Sequence, residues 1–426
     1  MKRQKIKKNQ KNLLQKSGSI AVLDIGTAKI ACFIAYIDSA GEIKIVGIGH
    51  QLSKGIKAGV ITDFAEAETS IANAVHAAEQ MAGGTVESVV VSLAGGNLTS
   101  RSVTVEMSLF GEEVTDRDIM DIMEQARASI AHNEHEILHS IPVSYYLDGA
   151  RGIIDPRKMF GKKLGADVHM ITGLSGVMKN LAHCIGRCHL NVEEYIAAPY
   201  ASALSVLEDD EKNLGVTLID MGAGTTSFCV IAGGKNIYTD SVPLGGSHVT
   251  SDVARGLSTS VAHAERLKTL HGSAIATASD EQVMLDVPPL GEDDSDEINS
   301  LPRSMLVGVI RPRMEEIFEM IKNKIEMSGV APQAGKRVVL TGGASQLLGV
   351  REMAANILGK QVRLGRPRLL DGLAESVSGP AFATALGMLE YHIKKPREEQ
   401  MFDAHLHRGG FVAGFEKLVA WFRDNF

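Results

Sequence analysis

Two short apolar strands in this chain each run into an aspartate and then a turn of small residues. The first copy spans residues 20–27, and the second spans residues 216–226. Glycine lets a backbone approach an anion closely, successive turn N–H groups point toward it, and an aspartate there can bind Mg²⁺ through water. Two such turns facing each other predict a clamp for a triphosphate between two halves of the protein. The candidate residues are Asp24, Gly26, Thr27, Asp220, Gly222, Ala223, Gly224, Thr225 and Thr226.

The elements that would position these turns repeat along the chain. Each turn is followed by a pattern that predicts two more strands and a helix. These are residues 29–36, 43–48 and 63–81 in the first half, and residues 227–231, 236–242 and 247–268 in the second. A strand–strand–strand–helix order that occurs twice predicts two related α/β domains.

Composition limits the class of protein. The 426 residues leave room for two to four domains, and the 44% hydrophobic and 22% charged contents are ordinary for a soluble globular protein. The net charge of −7 gives no case for nucleic-acid binding. Four cysteines do not make a disulfide framework, which favours a reducing cytoplasm. The absence of a run of about 18 apolar residues predicts no transmembrane helix.

The N-terminus is strongly basic. Residues 1–16 carry seven Lys or Arg and lack the apolar core of a signal peptide. We expect residues 1–17 to be a disordered arm. Two interpretations stay open: a solubilising tail, and added attraction to anionic lipid or to an acidic partner.

The remaining segments fill the space between the repeats. Residues 86–173 contain predicted strands and a helix at 116–130, which is the size of a small inserted α+β domain. Residues 280–299 are acidic and contain two prolines, which predicts a surface loop. A long helix is predicted at 306–327 and a strand at 338–340. The His-Cys and Cys-His pairs at 183–184 and 188–189 suggest a metal site, but no second ligand cluster accompanies them.

Five motifs together resemble the actin/Hsp70/sugar-kinase ATPase superfamily. The two aspartate turns resemble its phosphate motifs, residues 340–344 its adenosine motif, and residues 197–207 and 379–387 its two connecting helices. The motifs occur in the superfamily's order and span roughly residues 19–391. This resemblance implies an actin-like fold of two related α/β domains that binds ATP and Mg²⁺.

Within that superfamily the chain resembles the FtsA family of bacterial cell-division proteins. The insert occupies the place of that family's subdomain 1C, an SHS2 domain, and residues 309–316 resemble a stretch of its subdomain 2B. The implied domains are a basic arm at 1–17, subdomain 1A at 18–85 and 174–213, subdomain 1C at 86–173, subdomain 2A at 214–250 and 336–392, subdomain 2B at 251–335, a flexible linker at 393–410 and an amphipathic helix at 411–426.

The resemblance implies further roles around the nucleotide. Asp24 and Asp220 would flank the Mg–ATP phosphates. Glu265 and Lys268 would contact ribose and adenine, although a solvated helix face explains their spacing nearly as well. Gly342 and Gly343 would let adenine approach the backbone, with Gln346 at its border.

The sequence contains no evident catalytic residue for ATP hydrolysis. Hydrolysis needs a group that orients or activates water. No Gln, Glu or Asp stands at residues 197–201, where the superfamily places one. We therefore expect ATP binding with slow or negligible turnover and no catalytic residue, with Glu193 and Glu194 keeping a weaker enzymatic interpretation open.

The last sixteen residues form a predicted amphipathic helix. Their apolar side chains recur at helical spacing on one stripe. This helix is too short to span a bilayer but suits the membrane interface, where aromatic rings are favoured. The alternative is docking on the protein's own core. The residues concerned are Phe411, Phe415, Leu418, Val419, Trp421, Phe422 and Phe426.

The FtsA resemblance implies a non-enzymatic adaptor at the division site. Such a protein polymerises through 1C and 2B and tethers FtsZ filaments to the inner face of the cytoplasmic membrane, beside other membrane proteins of the division machinery. Arg311 and Arg313 would accept the acidic FtsZ tail, unless they form ion pairs within their own domain. Competing functions are a small-molecule kinase, an Hsp70-type chaperone and a pilus-assembly relative.

Overall fold

The computed structural model describes residues 19–38, 42–95, 98–109, 111–130, 134–290 and 299–395. The predicted basic arm, most of the predicted linker and the predicted C-terminal helix lie outside the described residues. The chain divides into two compact units. Of the described residues, the first unit holds those up to Ser100 together with Thr172–Ile393, and the second holds those of Arg101–Ile171.

Strands form the sheets of both units. They are β1 (Ser19–Ile25), β2 (Lys29–Ile37), β3 (Ile43–Leu52), β4 (Ile56–Lys57), β5 (Val60–Ile61), β6 (Ser88–Leu93), β7 (Leu98–Ser108), β8 (His135–Leu147), β9 (Ala150–Ile153), β10 (Lys163–Leu174), β11 (Asn191–Ala197), β12 (Val216–Met221), β13 (Thr226–Ala232), β14 (Lys235–Val242), β15 (Met284–Val287), β16 (Asn299–Pro302), β17 (Arg337–Thr341) and β18 (Gln361–Leu364).

The described residues also form ten α-helices. They are α1 (Phe64–Ala82), α2 (Asp116–Ala128), α3 (Ser175–Arg187), α4 (Ala198–Val206), α5 (Asp209–Leu214), α6 (Gly246–Gly256), α7 (Val261–His271), α8 (Arg303–Met327), α9 (Val350–Leu358) and α10 (Ala383–Lys394). In the part of the chain that the structure describes, no helix is long and apolar enough to cross a membrane.

Two five-stranded sheets in the first unit have the same topology. Their orders are β11-β6-β1-β2-β3 and β14-β13-β12-β17-β18. In each, the strand that carries the aspartate is central, pairs antiparallel with the next strand and pairs parallel with a later one. Strands buried on both faces become continuously apolar, as in β1 and β12. The repeat read from the sequence is therefore a repeat of folded domains.

The alanine-rich face of α1 packs directly on the first sheet. A Cβ on Gly49 of β3 would lie 1.9 Å from the carbonyl oxygen of Ala74, so only glycine fits there. Asp63 caps the helix by accepting a hydrogen bond from Glu66 N at 3.0 Å, and Gly83 ends it with φ of 77°. The predicted start and end of this helix are thus explained by local chemistry.

The second unit holds its own core. Strands β7, β10, β8 and β9 form one sheet in that order, and its apolar face packs on α2. Thr115 and Asp118 form a reciprocal capping box at the start of α2. The buried side chains include Ile119, Ile122 and Val168.

Two predicted elements differ from the structure. The single helix expected at 247–268 is two helices, because Gly256 ends α6 and Ser260 caps α7 by accepting a hydrogen bond from His263 N at 3.2 Å. Ser258, between them, has φ of 51°. The loop expected at 280–299 contains β15, which pairs antiparallel with β16 and buries Leu285 and Val287.

Candidate functional site

Asp24 lies at the carboxyl end of β1, where the first small-residue turn begins. Its Oδ1 accepts a hydrogen bond from Ser92 Oγ at 2.8 Å, and the same hydroxyl accepts one from Ile25 N at 3.1 Å. Burial raises the pKa of this carboxyl, while the charge of Lys29 and the Ser92 hydroxyl oppose the rise. The aspartate is therefore held in a fixed orientation at a desolvated position.

Asp220 occupies the equivalent end of β12. Its Oδ2 accepts hydrogen bonds from Ser202 Oγ at 2.6 Å and from Thr384 Oγ1 at 3.1 Å. Burial raises the pKa of Asp220 to about 6, and the negative charge of Asp24 adds to the rise. Two partly buried carboxylates that repel each other form a site that favours a cation, because a bound cation lowers the cost of keeping both ionised.

Lys29 interacts electrostatically with both aspartates, and the sequence reasoning missed it. Burial lowers its pKa to about 8 against the opposing attraction of Asp24 and Asp220. Its Nζ donates to the carbonyl oxygen of Ala381 and lies 3.2 Å from the ring centroid of Phe382. A lone lysine between the glycine turn and a wholly apolar strand is the signal that could have found it.

The two phosphate-type turns meet each other. A Cβ on Gly224 would lie 2.4 Å from Thr27 Oγ1 and 3.2 Å from the Cα of Ala58. Thr27 Oγ1 accepts a hydrogen bond from Ala58 N at 3.1 Å. A Cβ on Gly95 would in turn lie 2.9 Å from Thr225 Cγ2. Glycines at these positions thus let two halves of the first unit approach at the place where the sequence predicts an anion.

A backbone hydrogen bond also closes each of the two turns. Gly26 N donates to the carbonyl oxygen of Lys29, and Gly222 N to that of Thr225, both at 3.0 Å. Thr226 Oγ1 donates to the carbonyl oxygen of Leu244 at 2.9 Å, which assigns this hydroxyl a structural contact.

The predicted adenosine motif lies beside Asp220. Gly342 has φ of 84°, and a Cβ on it would lie 2.4 Å from Asp220 Oδ1. Gly343 begins the short 3₁₀ helix that follows. Gln346 is exposed, and its Nε2 donates to the carbonyl oxygen of Gly343 at 3.3 Å. The structure therefore brings Gly342 to the aspartate and leaves Gln346 exposed.

Glu265 and Lys268 of α7 are linked to the second turn through α6. Lys268 Nζ donates to Glu265 Oε2 at 2.7 Å, to Thr250 Oγ1 at 2.8 Å and to the carbonyl oxygen of Gly246 at 3.0 Å. Gly246 N donates to the carbonyl oxygen of Gly222 at 3.0 Å. The pair is thus hydrogen-bonded to α6 and, through Gly246, connected to the second turn.

Among the described residues, no group of three or more His, Cys, Asp or Glu is arranged to hold a metal by itself. Burial raises the pKa of Cys184 to about 11 and raises that of Cys188, which disfavours the thiolates that metal binding needs. Cys188 Sγ contacts the carbonyl oxygens of Glu68 and Cys184 at 3.6 Å.

Comparison with known proteins assigns the fold and the family. The family model for cell division protein FtsA matches residues 217–387, and the model for the SHS2 domain inserted in FtsA matches residues 95–172. A cell division protein FtsA of Rhizobium meliloti (strain 1021) is 43% identical over 430 residues, which cover 97% of this chain and 96% of the relative. The chain belongs to the FtsA family. It is a cell-division protein of that family, as the motifs predicted.

Solved structures show the fold alone. A PilM–PilN type IV pilus biogenesis complex aligns with a TM-score of 0.63 at 16% identity, covering 88% of this chain and 99% of the other. MreB5 of Spiroplasma citri bound to AMPPNP aligns with a TM-score of 0.54 at 13% identity, covering 92% and 99%. The predicted fold class is confirmed: this FtsA-family chain has an actin-like ATPase fold with an SHS2 insert. The domain boundaries within it stay a prediction.

The two predicted connecting helices of the FtsA chain, α4 and α10, pack against each other beside Asp220. Helix α4 is buried along its whole length, and a Cβ on Gly387 of α10 would lie 1.8 Å from the carbonyl oxygen of Ala201. Ser202 Oγ of α4 and Thr384 Oγ1 of α10 lie 2.9 Å apart, and both hydroxyls lie within hydrogen-bond distance of Asp220 Oδ2. A change in the packing of α4 against α10 would therefore move the hydroxyl groups that hold the Asp220 carboxylate.

Helix α4 carries no carboxylate or amide side chain that faces the cleft of this FtsA chain. Glu193 accepts a hydrogen bond from Ser88 Oγ, and Glu194 Oε1 accepts one from Tyr391 at 3.4 Å. Both acids thus have structural partners in the first sheet and at α10.

Arg311 and Arg313 lie on α8 of the FtsA chain and are both ion-paired within the first unit. Arg313 Nε donates to Asp252 Oδ2 at 2.6 Å, and its Nη1 donates to Glu316. Arg311 Nε donates to Glu315 Oε1 at 2.7 Å. The Arg311 side chain is 54% exposed and that of Arg313 26%, so Arg311 is the more accessible of the two.

Proposed function

We propose that this FtsA-family chain is an ATP-binding, actin-like adaptor that polymerises and tethers FtsZ filaments to the cytoplasmic face of the membrane at the division site. The observation that supports nucleotide binding best is the meeting of the two aspartate turns. Gly224 contacts Thr27 so closely that no Cβ fits, with Asp24, Asp220 and Lys29 buried beside them.

The donor set fits a magnesium nucleotide. Gly224 would offer its backbone N–H group, and Thr27 and Thr225 their hydroxyls, to the phosphates. The N–H groups of Gly26 and Gly222 already close their own turns, so these two glycines would serve by letting the phosphates approach the backbone. Asp24 and Asp220 would hold Mg²⁺ through water. Glu265 and Lys268 would face the ribose and adenine, and Gly342 and Gly343 the base. A structural relative, MreB5, has been solved bound to AMPPNP.

We propose slow or negligible turnover. Helix α4 presents no acid or amide to the cleft, and Glu193 and Glu194 already have partners in the first unit. Without a group that orients water, bound nucleotide serves to hold the two halves together. That state would favour polymerisation through the 1C and 2B subdomains and contacts with other membrane proteins of the division machinery.

The membrane contact would come from the predicted C-terminal helix. Its stripe of Phe411, Phe415, Leu418, Val419, Phe422 and Phe426, with Trp421 beside it, suits the membrane interface. Truncation after Gly410 is expected to abolish co-sedimentation with liposomes. ATP binding should stay unchanged, because all the residues proposed to hold the nucleotide lie in the first unit.

Two substitutions in the full chain complement this truncation. Trp421→Glu should also weaken co-sedimentation strongly. Asn425→Gln, on the polar side of the helix, is the control and should not weaken it. If the chain ending at Gly410 pellets with liposomes as well as the full chain does, the tether function is wrong.

The FtsZ tail would bind along the exposed side of α8. Arg311→Glu is expected to weaken binding of an FtsZ C-terminal peptide about tenfold or more, because it replaces a cation that can pair with a carboxylate.

Arg313→Glu should weaken binding of the peptide and also destabilise the fold, because it places a negative charge next to those of Asp252 and Glu316.

Fluorescence anisotropy with a labelled peptide measures this effect. Arg351→Glu supplies the control, since it reverses an exposed arginine on α9 that is paired with its neighbour Glu352. Unchanged peptide affinity in the Arg311 variant would remove this side of α8 from the site.

A further inference from the structure

The hairpin formed by β4 and β5 is hydrogen-bonded to the first phosphate-type turn and to the start of α1. Ser53 N, just before the hairpin, donates to the carbonyl oxygen of Ala28 at 3.0 Å. The carbonyl oxygen of Gly55 accepts hydrogen bonds from Thr62 N at 2.7 Å and from Asp63 N at 3.1 Å, and Asp63 caps α1. The base of the hairpin is therefore anchored on both sides.

The tip of this hairpin, Lys57–Gly59, has a sterically unfavourable backbone. Lys57 pairs with Val60, so Ala58 and Gly59 form a two-residue connection. Their φ angles are 48° and 78°. Positive φ at both positions is typical of a type I′ turn, in which asparagine or glycine is usually found, and alanine adopts it only at a cost. Such conformations persist where surrounding contacts determine them, and they cluster at ligand sites.

Ala58 lies where the two phosphate-type turns meet. Its N–H donates to Thr27 Oγ1 of the first turn at 3.1 Å. A Cβ on Gly224 of the second turn would lie 3.2 Å from the Cα of Ala58. A Cβ on Gly95, beyond the end of β6, would lie 3.1 Å from the carbonyl oxygen of Ala58. The hairpin tip thus contacts both turns and is a third element beside the predicted phosphate site.

The predicted adenosine residues contact the start of the second turn, whereas the hairpin tip contacts its end. Lys268 Nζ donates to the carbonyl oxygen of Gly246, and Gly246 N donates to that of Gly222, both at 3.0 Å. A Cβ on Gly342 would lie 2.6 Å from the carbonyl oxygen of Met221. A nucleotide with its base on the adenosine side would therefore direct its terminal phosphate toward the hairpin.

Lys57 supplies a positive charge at this end of the cleft. Its Cα is one peptide unit from that of Ala58, which places it within roughly 9 Å of the Cα of Gly224. Ile56 is buried, so the alternation of side chains along β4 turns Lys57 outward, where it is exposed. Within the part of the chain that the structure describes, Lys57 forms no ion pair. Its ammonium group is therefore available to a ligand.

We propose that Lys57, carried by the hairpin tip, contacts the terminal phosphate of the bound nucleotide and makes the cleft prefer ATP to ADP. The proposal rests on the nucleotide binding proposed above. A terminal phosphate carries roughly two negative charges at pH 7, and a lysine ammonium binds phosphate as a point charge. Asp24 and Asp220 add negative charge to the same cleft, which increases the need for a cation there. ADP lacks the phosphate nearest the hairpin, so this contact strengthens the binding of ATP alone.

The test is isothermal titration of the full chain with the magnesium complexes of ADP and of AMPPNP, a non-hydrolysable ATP analogue. Lys57→Gln is expected to weaken the binding of Mg–AMPPNP about tenfold and to change the Mg–ADP affinity less than about twofold, because it removes a charge-assisted contact with the terminal phosphate. Lys54→Gln is the matched control. It removes an exposed lysine at the base of the same hairpin and should leave both affinities unchanged.

The ratio of the two affinities decides the proposal. An unchanged ratio in Lys57→Gln, whether both ligands bind as before or both bind equally more weakly, would overturn it. The same change of ratio in Lys54→Gln would also overturn it, because the cause would then be net charge. Failure of the proposed function looks different: the unaltered chain would bind neither Mg–AMPPNP nor Mg–ADP, and the hairpin would have no phosphate to contact.

Discussion

Asp220→Asn is expected to weaken the binding of Mg–ATP about 100-fold while stabilising the nucleotide-free protein. The substitution removes one of two buried carboxylates that would face the magnesium ion. Loss of such a charge-assisted contact, at roughly 2–3 kcal/mol, corresponds to about 100-fold weaker binding. Isothermal titration with Mg–ATP measures the affinity, and urea denaturation without nucleotide measures the stability.

The stabilisation follows from the direction of the pKa shift. Burial raises the pKa of Asp220 to about 6 from its ordinary value of 3.8. Between these pH values the folded protein binds more protons than the unfolded chain. This carboxyl therefore favours folding at low pH, and that contribution is lost as the pH rises through about 6. At pH 7 the ionised group opposes folding by about 1–3 kcal/mol, and asparagine removes that opposition.

Asparagine can still accept the hydrogen bonds from Ser202 and Thr384, so the packing around residue 220 should survive. The unaltered protein without nucleotide should lose stability as the pH rises from about 4 to 6, through this group, and the variant should lose less. Asp209→Asn is the control, because that side chain is 82% exposed and remote from the cleft turns. A variant that binds Mg–ATP like the unaltered chain would show that Asp220 does not face the nucleotide.

Gly387→Ala is expected to destabilise the first unit by about 3 kcal/mol and to weaken Mg–ATP binding. The new methyl group would lie 1.8 Å from the carbonyl oxygen of Ala201, which is backbone and cannot move aside alone. Helices α4 and α10 would have to separate. Their separation would disturb the Ser202 and Thr384 hydroxyls that hold Asp220.

Gly308→Ala makes the same chemical change in a helix without the contact. Gly308 lies within α8, and a Cβ on it meets no atom within 4 Å. Alanine there should stabilise the helix by about 0.5–1 kcal/mol. The midpoints of urea unfolding and the nucleotide affinities of both variants measure the difference. Equal midpoints for the two variants would contradict the close crossing of α4 and α10.

The sequence predicted the repeated domains and the phosphate-type turns because their signals are local. An apolar strand, an aspartate and closely spaced glycines lie within about ten residues, and the folded repeat has the same order in both sheets. The caps of α1 were also local, with Asp63 three residues before Glu66. Such features need no knowledge of distant contacts.

The features that the sequence could not predict depend on distant contacts. Ser92 and Thr384 come from other elements to hold the two aspartates, and nothing near them in the chain marks that role. The burial of Lys29 depends on the second domain, which brings Asp220 to it. The pairing of Arg313 with Asp252 joins residues 61 positions apart. The break between α6 and α7 was locally encoded by Gly256 and Ser260, but the apolar periodicity concealed it.

A crystal structure of this chain grown with Mg²⁺ and a non-hydrolysable ATP analogue tests the central claim most directly. The predicted result is a triphosphate held between the turn at Gly26 and Thr27 and the turn at Gly222 and Gly224, with the magnesium ion and its water beside Asp24 and Asp220. A nucleotide bound elsewhere, or these turns empty at saturating analogue, would contradict it.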